Sequence, residues 1–273
     1  MDKHAETSED AIARLRCRVF VELDHLKAMH EWLGDKQQAW QSGRVTGPSR
    51  TGKTHNCIAF QAITNRRVDD GDRRPGQPPR RPILYIFPPE SCSARALLTE
   101  ILQELGYAFF RGTVHDLRKR VVEALRTCEV EMIIIDEADR LGRAAFADVR
   151  DFSDHRLLHM AVILVGTSSR LSRVLERDEQ VRNRFMPGYE LGILRGQQLI
   201  AVITTWEEHV LKLPQASDLT SAGKLSILTK ASRGLIGLLD EILREAAIQA
   251  LRAGKQRIDV ATLRKVASSS SLQ

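Results

Sequence analysis

The octapeptide Gly47-Pro48-Ser49-Arg50-Thr51-Gly52-Lys53-Thr54 follows a short apolar stretch and opens a segment with helical spacing. It matches G-x-x-x-x-G-K-[ST], a phosphate-binding loop between a strand and a helix. In such a loop the glycines let backbone N–H groups surround the phosphates, Lys53 reaches the β and γ oxygens, and Thr54 coordinates Mg²⁺. All eight residues are predicted to bind a nucleoside triphosphate. Isolated matches also arise by chance, so a second motif is needed.

That second motif is Met132-Ile133-Ile134-Ile135-Asp136-Glu137, an apolar run that ends in two acids. This pattern is typical of a buried parallel strand. Asp136 is predicted to hold the water shell of Mg²⁺, and Glu137 to orient and deprotonate the attacking water as general base. The alternative is a buried strand that merely ends in surface acids. Because open α/β sheets bind ligands at this end of their strands, the catalytic interpretation is favoured.

Composition bounds the class of protein. With 273 residues, 42% of them hydrophobic, the chain can bury one large core and a small accessory domain. No apolar stretch approaches the length of a membrane span, and the polar, acidic residues 1–10 do not form a secretory signal, so we expect a cytoplasmic protein without a membrane partner. The four cysteines form no C-x-x-C pair, which indicates neither a zinc knuckle nor a disulfide framework. Magnesium is the one metal predicted.

Alternating strand and helix patterns predict an α/β fold, with a parallel sheet flanked by helices on both faces. The predicted domains are an N-terminal helical lead-in (1–42), an α/β nucleotide-binding core (43–195) and a helical lid (196–273). The predicted strands are Arg44–Thr46, Ile83–Phe87, Met132–Asp136, Ala161–Val165 and Tyr189–Leu191. The predicted core helices are Lys53–Asn65, Ala94–Leu105, Asp116–Thr127, Phe146–Phe152 and Leu171–Glu176, and those of the lid are Leu199–Leu211, Ser221–Ala231, Ile236–Leu251 and Val260–Val266. Arg66–Pro82, rich in Pro, Gly and Arg, is predicted to be a surface loop.

The chain carries 41 Lys and Arg against 35 acids, for a net charge of +6. Two segments concentrate this charge: 65–82 has six arginines against three aspartates, and 111–126 has five basic residues against two acids. On charge alone, a solvated helix face or loop is the favoured interpretation and contact with DNA the alternative.

A phosphate-binding core followed by a small helical domain is the layout of the AAA+ ATPases. In Gly166-Thr167-Ser168, after the fourth strand, Thr167 occupies the position of sensor 1, where a hydroxyl bridges water and γ-phosphate. A plain turn at the strand end is the alternative. Arg182 and Arg184 precede the last strand, where such proteins present an arginine finger to the nucleotide of a neighbouring subunit.

Several stretches resemble the TniB/TnsC family of transposition ATPases. They are Val45–Thr54, Glu131–Leu141 (EMIIIDEADRL), Phe146–Asp151 (FADVRD), Val165–Thr167 and Asp240–Ile248 (DEILREAAI). The likeness runs from about Phe20 to Val266 and is greatest to the short TnsC proteins of CRISPR-associated transposons.

The resemblance implies an ATP- and Mg²⁺-dependent regulator that oligomerises on double-stranded DNA as a ring or helical filament. It would mark the target site, work with a target-selection protein of the TniQ type and recruit a DDE-type transposase. Hydrolysis of ATP, bound between subunits, would dismantle the assembly. Arg184 is the first choice for the finger because it directly precedes Phe185, as in the family, and Arg182 is the second. Leu238 stands where a family member carries the lid's sensor 2 arginine, which puts nucleotide sensing by the lid in doubt.

The resemblance also favours DNA contact by four residues: Arg95, Arg111, Thr113 and Lys119. Thr113 begins a T-x-x-D pattern that predicts a helix N-cap, a role compatible with phosphate binding at the same helix end. Such contacts would be almost independent of base sequence and strongly dependent on salt. Two other functions stay open: a helicase-loader or replication-type AAA+ ATPase, and a scaffold that binds ATP without hydrolysis. Glu137 counts against the scaffold, since pure binding does not require that acid.

Overall fold

The computed structural model describes residues 7–17, 21, 23–69, 78–108, 110–176 and 179–270. The strands are β1 (Gly43–Thr46), β2 (Ile83–Ile86), β3 (Met132–Ile135), β4 (Ala161–Val165) and β5 (Pro187–Glu190). The helices are α1 (Ser8–Arg16), α2 (Asp24–Gln38), α3 (Lys53–Asp69), α4 (Ala94–Glu104), α5 (Val114–Thr127), α6 (Arg143–Ser153), α7 (Ser168–Leu175), α8 (Glu179–Arg184), α9 (Gly196–Thr205), α10 (Ala222–Ser232), α11 (Ile236–Arg252) and α12 (Val260–Ser270). A 3₁₀ turn spans Ala138–Arg140 and a π-helical turn spans Trp206–Leu211.

These residues form two compact units. The first, which we call the α/β unit, comprises Asp24–Pro48 and Lys53–Leu191. The second, the helical unit, comprises Gly192–Gln273, Ser49–Gly52 and the described part of Met1–Leu23.

The α/β unit is built on a five-stranded parallel sheet in the order β2-β3-β4-β1-β5. Strands β3 and β4 are buried along their whole length, as their unbroken apolar sequences require when helices cover both faces of a sheet. Because β4 lies between β3 and β1, the carboxyl ends of these three strands are neighbours in space. The predicted α/β fold with a parallel sheet is confirmed, and the loops after β1, β3 and β4 share one edge of it.

A continuous apolar core lies under helices α4, α5 and α6. Their apolar faces pack against β2, β3 and β4 together with the ends of α7 and α8. Phe185 is fully buried in this core, immediately after α8. Its burial fixes the end of the short helix that carries Arg182 and Arg184.

The helical unit ties the first helix of the chain to the C-terminal helices. Arg14 on α1 donates hydrogen bonds to the carbonyls of Val210 and Leu211. In the opposite direction, Arg244 on α11 donates to the carbonyls of Leu15 and Cys17 at the end of α1. Guanidinium groups thus satisfy carbonyls that helix ends leave without an intrahelical partner.

Most element bounds follow the sequence predictions within a few residues, and β4 follows them to the residue. The predicted loop Arg66–Pro82 is wrong at its start, because α3 continues to Asp69. Arg66 and Arg67 fall in the last turn, where positive charge is favoured by the helix dipole. Residues 70–77 of this loop lie outside the described residues.

Three further differences concern helices. The lead-in contains two helices, α1 and α2, where the sequence predicted one helical stretch. The predicted helix Leu199–Leu211 changes to π-helical geometry at Trp206. Helix α8 was not predicted, since its charged sequence shows little apolar periodicity and its position is set by the buried Phe185 that follows. None of the described helices is long and apolar enough to cross a membrane.

Candidate functional site

The backbone after β1 has the shape that a phosphate-binding loop requires. Gly47 has φ +150°, and a Cβ at this position would lie 2.2 Å from the carbonyl oxygen of Leu191. That overlap excludes every residue except glycine at position 47. Leu191 is held there because its N–H donates to the carbonyl of Thr46. Gly52 has φ +92°, which also favours glycine. Both glycines of the motif are therefore demanded by the fold.

Lys53, the first residue of α3, turns its ammonium back onto the loop. Its Nζ lies 3.0 Å from the carbonyl oxygen of Gly47 and 2.6 Å from that of Pro48 and donates to both. The residue is 8% exposed. Burial lowers the pKa of Lys53, while the charge of Asp136 acts in the opposite direction. An ammonium has three donors, so this geometry leaves one for a further oxygen, such as that of a phosphate.

Asp136, directly after β3, joins three parts of the site. It is 1% exposed, and its Oδ2 accepts hydrogen bonds from the Thr54 hydroxyl at 2.5 Å and the Tyr85 hydroxyl at 2.7 Å. Its Oδ1 accepts from the Glu137 backbone N–H at 2.8 Å. A buried carboxylate needs such donors, since an uncompensated one is very costly. The two predicted magnesium residues are thus in direct contact.

Tyr85 contacts the predicted site and was not among the residues predicted from the sequence. It is the one polar residue of β2, paired in register with Ile134 of β3. Burial and the charge of Asp136 raise the pKa of Tyr85 well above its ordinary value. A hydroxyl within an otherwise apolar strand was the signal that could have revealed it.

The donor set at Asp136 fits a magnesium ion. Mg²⁺ in nucleotide sites takes one or two protein oxygens and completes its octahedron with phosphate oxygens and water. The Asp136 carboxylate and Thr54 hydroxyl supply oxygens of this kind at the edge of the sheet where Lys53 lies. A bound ion would neutralise charge on the phosphates.

Glu137 lies at the start of the 3₁₀ turn with φ +41°, in the left-handed region that non-glycine residues rarely adopt. Its side chain is 45% exposed and forms an ion pair with Arg140. Backbone strain of this kind is concentrated at functional sites. The predicted general base therefore lies directly beside the predicted magnesium ligand. Its left-handed backbone gives its side chain a direction that a regular strand would not.

Thr167 follows β4 at the same edge of the sheet. It is the N-cap of α7 by position, yet its side chain makes no capping hydrogen bond. Its Oγ1 is buried and has no hydrogen-bond partner within the described structure. A buried hydroxyl without a partner carries a free-energy cost, so each case calls for an explanation. Binding of a phosphate or an ordered water is the explanation that the sensor 1 prediction offers.

Arg182 and Arg184 lie together on α8, and both are exposed. Arg184 Nη2 forms an ion pair with Asp154 at 2.6 Å. The structure thus places both arginines on the surface of the α/β unit, as a residue that reaches another subunit would require.

Of the four predicted DNA-binding residues, Arg95 lies in the first turn of α4, Arg111 and Thr113 directly precede α5, and Lys119 lies in the second turn of α5. We call these four residues the α4–α5 surface. Arg95 donates to the carbonyls of Phe110 and Gly112, at 3.0 and 2.8 Å, and so holds the turn that carries Arg111. Arg95, Arg111, Thr113 and Lys119 are all exposed. The contacts of Arg95 bring α4 and the start of α5 together, an arrangement that the sequence did not predict.

Thr113 is the N-cap of α5 in a complete capping box. Its hydroxyl accepts from the Asp116 N–H, and Asp116 Oδ2 accepts from the Thr113 N–H at 2.8 Å. The Thr113 hydroxyl also donates to Asp116 Oδ2 at 2.8 Å, and this hydrogen bond, followed by that of the Thr113 N–H, holds the pKa of Asp116 below its usual value. The predicted cap is confirmed by this geometry, and its carboxylate occupies part of the helix end where a phosphate was predicted to bind.

Arg50 and Gly52, in the segment Ser49–Gly52, contact α11 of the helical unit. Arg50 pairs with Glu241 at 2.8 Å, and its carbonyl accepts from the Gly237 N–H at the start of α11. A Cβ on Gly52 would lie 3.4 Å from Ile236. The half-buried Leu238, which the resemblance puts at the position of sensor 2, is on the same first turn of α11.

The fold and the residues at this sheet edge define an AAA+ ATPase architecture. The chain is similar to the ORC1 protein of Aeropyrum pernix solved in complex with DNA, with a TM-score of 0.70 and 17% identity over 95% of this chain and 69% of that one. It is similar to the ORC2 protein of the same organism in its ADPNP–ADP complexes (TM-score 0.67, 16% identity, 93% and 71%). It is also similar to the RuvB branch-migration motor of Thermotoga maritima (TM-score 0.56, 15% identity, 94% and 73%).

The family follows from the sequence. The model of the bacterial TniB protein family matches residues 16–190, and the chain belongs to that family of AAA+ proteins of DNA transposition. Comparison with curated protein sequences finds no match. The matched range contains every predicted catalytic, nucleotide, metal and DNA residue.

Proposed function

We propose that the protein is an ATP-dependent regulator of DNA transposition, of the kind found as short TnsC proteins in CRISPR-associated transposons. It oligomerises on double-stranded DNA as a ring or filament, marks the target site and recruits a DDE-type transposase, together with a target-selection protein of the TniQ type. Hydrolysis of ATP then dismantles the assembly. The observation that carries the proposal is the contact of Thr54 with Asp136, beside Glu137, in a chain of the TniB family.

The proposed chemistry assigns one role to each residue. The amide groups of Gly47–Thr54 and the ammonium of Lys53 bind the phosphates, while Thr54 and Asp136 hold Mg²⁺. Tyr85 fixes the carboxylate of Asp136 through its hydrogen bond at 2.7 Å. Glu137 orients and deprotonates the attacking water, and the unpartnered hydroxyl of Thr167 supports that water or the γ-phosphate.

Assembly depends on a second subunit in this proposal. An exposed guanidinium on α8, from Arg184 or in second place Arg182, reaches the phosphates of the adjacent subunit and stabilises charge on the transferred group. ATP binding and polymerisation are then linked, and hydrolysis removes the γ-phosphate contact that holds adjacent subunits together.

The α4–α5 surface supports the proposed contact with DNA. Arg95 holds the turn, while Arg111 and Lys119 present charge to solvent around the N-terminus of α5. Charges of this kind bind phosphates and set position on the duplex without reading base sequence.

Electron microscopy of the protein with linear double-stranded DNA tests the proposal. ATP or a slowly hydrolysed analogue is compared with ADP and with no nucleotide. We expect rings or filaments on DNA in the triphosphate state only, and pull-down of the transposase by these assemblies. Monomers in every state, with binding of a replicative helicase in place of a transposase, would favour the helicase-loader function.

A further inference from the structure

We propose that Arg140 is a positioning residue that restrains Glu137 through their ion pair and thereby keeps basal ATP hydrolysis slow. The inference rests on the proposed function, in which Glu137 is the general base. It concerns a side chain three residues further along, within the EADRL stretch after β3.

The first step is the placement of the guanidinium. Arg140 is 26% exposed and touches three groups: the Glu137 carboxylate, the carbonyl oxygen of Pro88 at 3.4 Å and the ring of Phe87, whose centroid lies 4.6 Å away. Phe87 and Pro88 directly follow β2. Arg140 thus draws the carboxylate of the proposed base towards the loop after β2.

The second step is the rigidity of the backbone that carries Arg140. The Cys92 N–H donates to the Arg140 carbonyl at 2.9 Å, and the Gly142 N–H donates to the Cys92 carbonyl at 2.8 Å. This bridge joins the turn after β3 to the segment before α4. A Cβ on Gly142 would lie 3.0 Å from the Cys92 carbonyl oxygen, so the two segments are in close contact. The backbone that carries Arg140 is therefore tied to the segment before α4, while Pro88 and Phe87 contact the guanidinium itself.

The third step is the consequence for the base. A general base must bring a carboxylate oxygen within hydrogen-bond distance of the attacking water. The oxygen that accepts from a fixed guanidinium is withdrawn from that task until the ion pair opens. Each turnover then includes the free energy of opening a partly exposed ion pair.

The test compares Arg140→Met with the wild-type protein. Methionine keeps apolar contact with Phe87 but lacks the charge. We expect kcat for ATP hydrolysis to rise about two- to fivefold, the rate equivalent of a partly exposed ion pair, with KM unchanged. Arg140→Lys keeps the charge and should stay near the wild-type kcat. Arg143→Met, which removes an exposed charge on the first turn of α6, is the matched control and should change nothing.

A second variant tests the support of the guanidinium. Phe87→Leu removes the ring beneath Arg140 and should raise kcat in the same direction by a smaller factor. In the Glu137→Gln background, Arg140→Met should have no effect, since no carboxylate remains to be released. Thermal unfolding followed by circular dichroism reports whether each variant folds.

Binding of a fluorescent ATP analogue separates this inference from the proposed function. If the wild-type protein binds no ATP, the proposed function fails. If wild-type and Arg140→Met bind ATP equally and the variant hydrolyses it no faster, or more slowly, the restraint is overturned and Arg140 is a support for the turn. An equal rise in Arg140→Lys would also contradict an ion-pair restraint.

Discussion

The end of β3 and the α4–α5 surface both carry charged side chains predicted to act on phosphates, yet they are built in opposite ways. Asp136 is 1% exposed, and both of its oxygens accept hydrogen bonds from other parts of the site. Arg111, before α5, and Lys119, in the second turn of α5, are exposed side chains. A buried charge needs partners in fixed positions, whereas an exposed charge is stabilised by water. Substitutions in the first region should therefore change chemistry sharply, and those in the second should change affinity gradually.

The largest effects are expected in the buried region. Lys53→Ala should abolish ATP binding and assembly, because the ammonium that faces the loop is lost. Glu137→Gln should bind ATP normally, lower kcat by about 10²–10⁴, and leave assemblies on DNA that do not dissociate. Nucleotide titration and electron microscopy distinguish the two. Equal loss of assembly in both variants would contradict the role of Glu137 as base.

Substitution of Arg184 tests whether the buried site needs an arginine from a neighbouring subunit for hydrolysis. Arg184→Ala should assemble on DNA but hydrolyse ATP about a thousandfold more slowly, as for loss of an arginine finger, while Arg182→Ala should hydrolyse normally. Its exposed pair with Asp154 contributes little to stability, so the variant should fold. Mixing Arg184→Ala with Glu137→Gln subunits should restore hydrolysis if the finger acts in trans. The reverse pattern for Arg182 would reassign the finger.

Thr167 sharpens the comparison because its buried hydroxyl has no structural partner. Thr167→Val keeps the shape and removes the hydroxyl. Its free energy of unfolding should be unchanged or slightly higher, since no hydrogen bond is lost, while kcat should fall by about a hundredfold. Chemical denaturation and steady-state kinetics measure the two quantities. A loss of stability with normal kcat would show that the hydroxyl is structural.

On the exposed surface, smaller and additive effects are expected. Arg111→Ala and Lys119→Ala should each weaken binding to duplex DNA several-fold and reduce the slope of log affinity against log salt by about 1. Arg252→Ala, an exposed charge at the end of α11, is the matched control. Fluorescence anisotropy over a salt series gives both values. An unchanged slope would show that Arg111 and Lys119 belong to a solvated surface that does not contact DNA.

Thr113 should show the smallest effect. Thr113→Ala removes the hydroxyl that caps α5 and should lower the free energy of unfolding by about 1 kcal/mol. Thr113→Ser retains the hydroxyl and should be close to the wild-type protein. If DNA affinity falls in the alanine variant but not in the serine variant, the cap orders the surface that binds DNA. If DNA affinity is the same in all three proteins, Thr113 is a cap only.

The parts of this protein that could be predicted from the sequence are those with a local signal. The glycine loop between β1 and α3, the apolar β3 followed by Asp136 and Glu137, and the cap at Thr113 each follow from residues that are neighbours in the chain. The parallel sheet follows from the alternation of strand patterns with helical patterns along the chain. Helix α8 lacked such a signal, because its position depends on Phe185 packing into a distant core.

The tertiary structure alone decided which side chains act on one another. Tyr85 donates to Asp136, and Arg95 donates to the turn before α5, although the partners are far apart in the chain. The hydroxyl of Thr167, by contrast, is buried without a hydrogen-bond partner among the described residues. Sequence spacing defines a residue's position on its own strand or helix. The order in which strands pair defines what lies beside it, and that order is fixed by burial of the whole core.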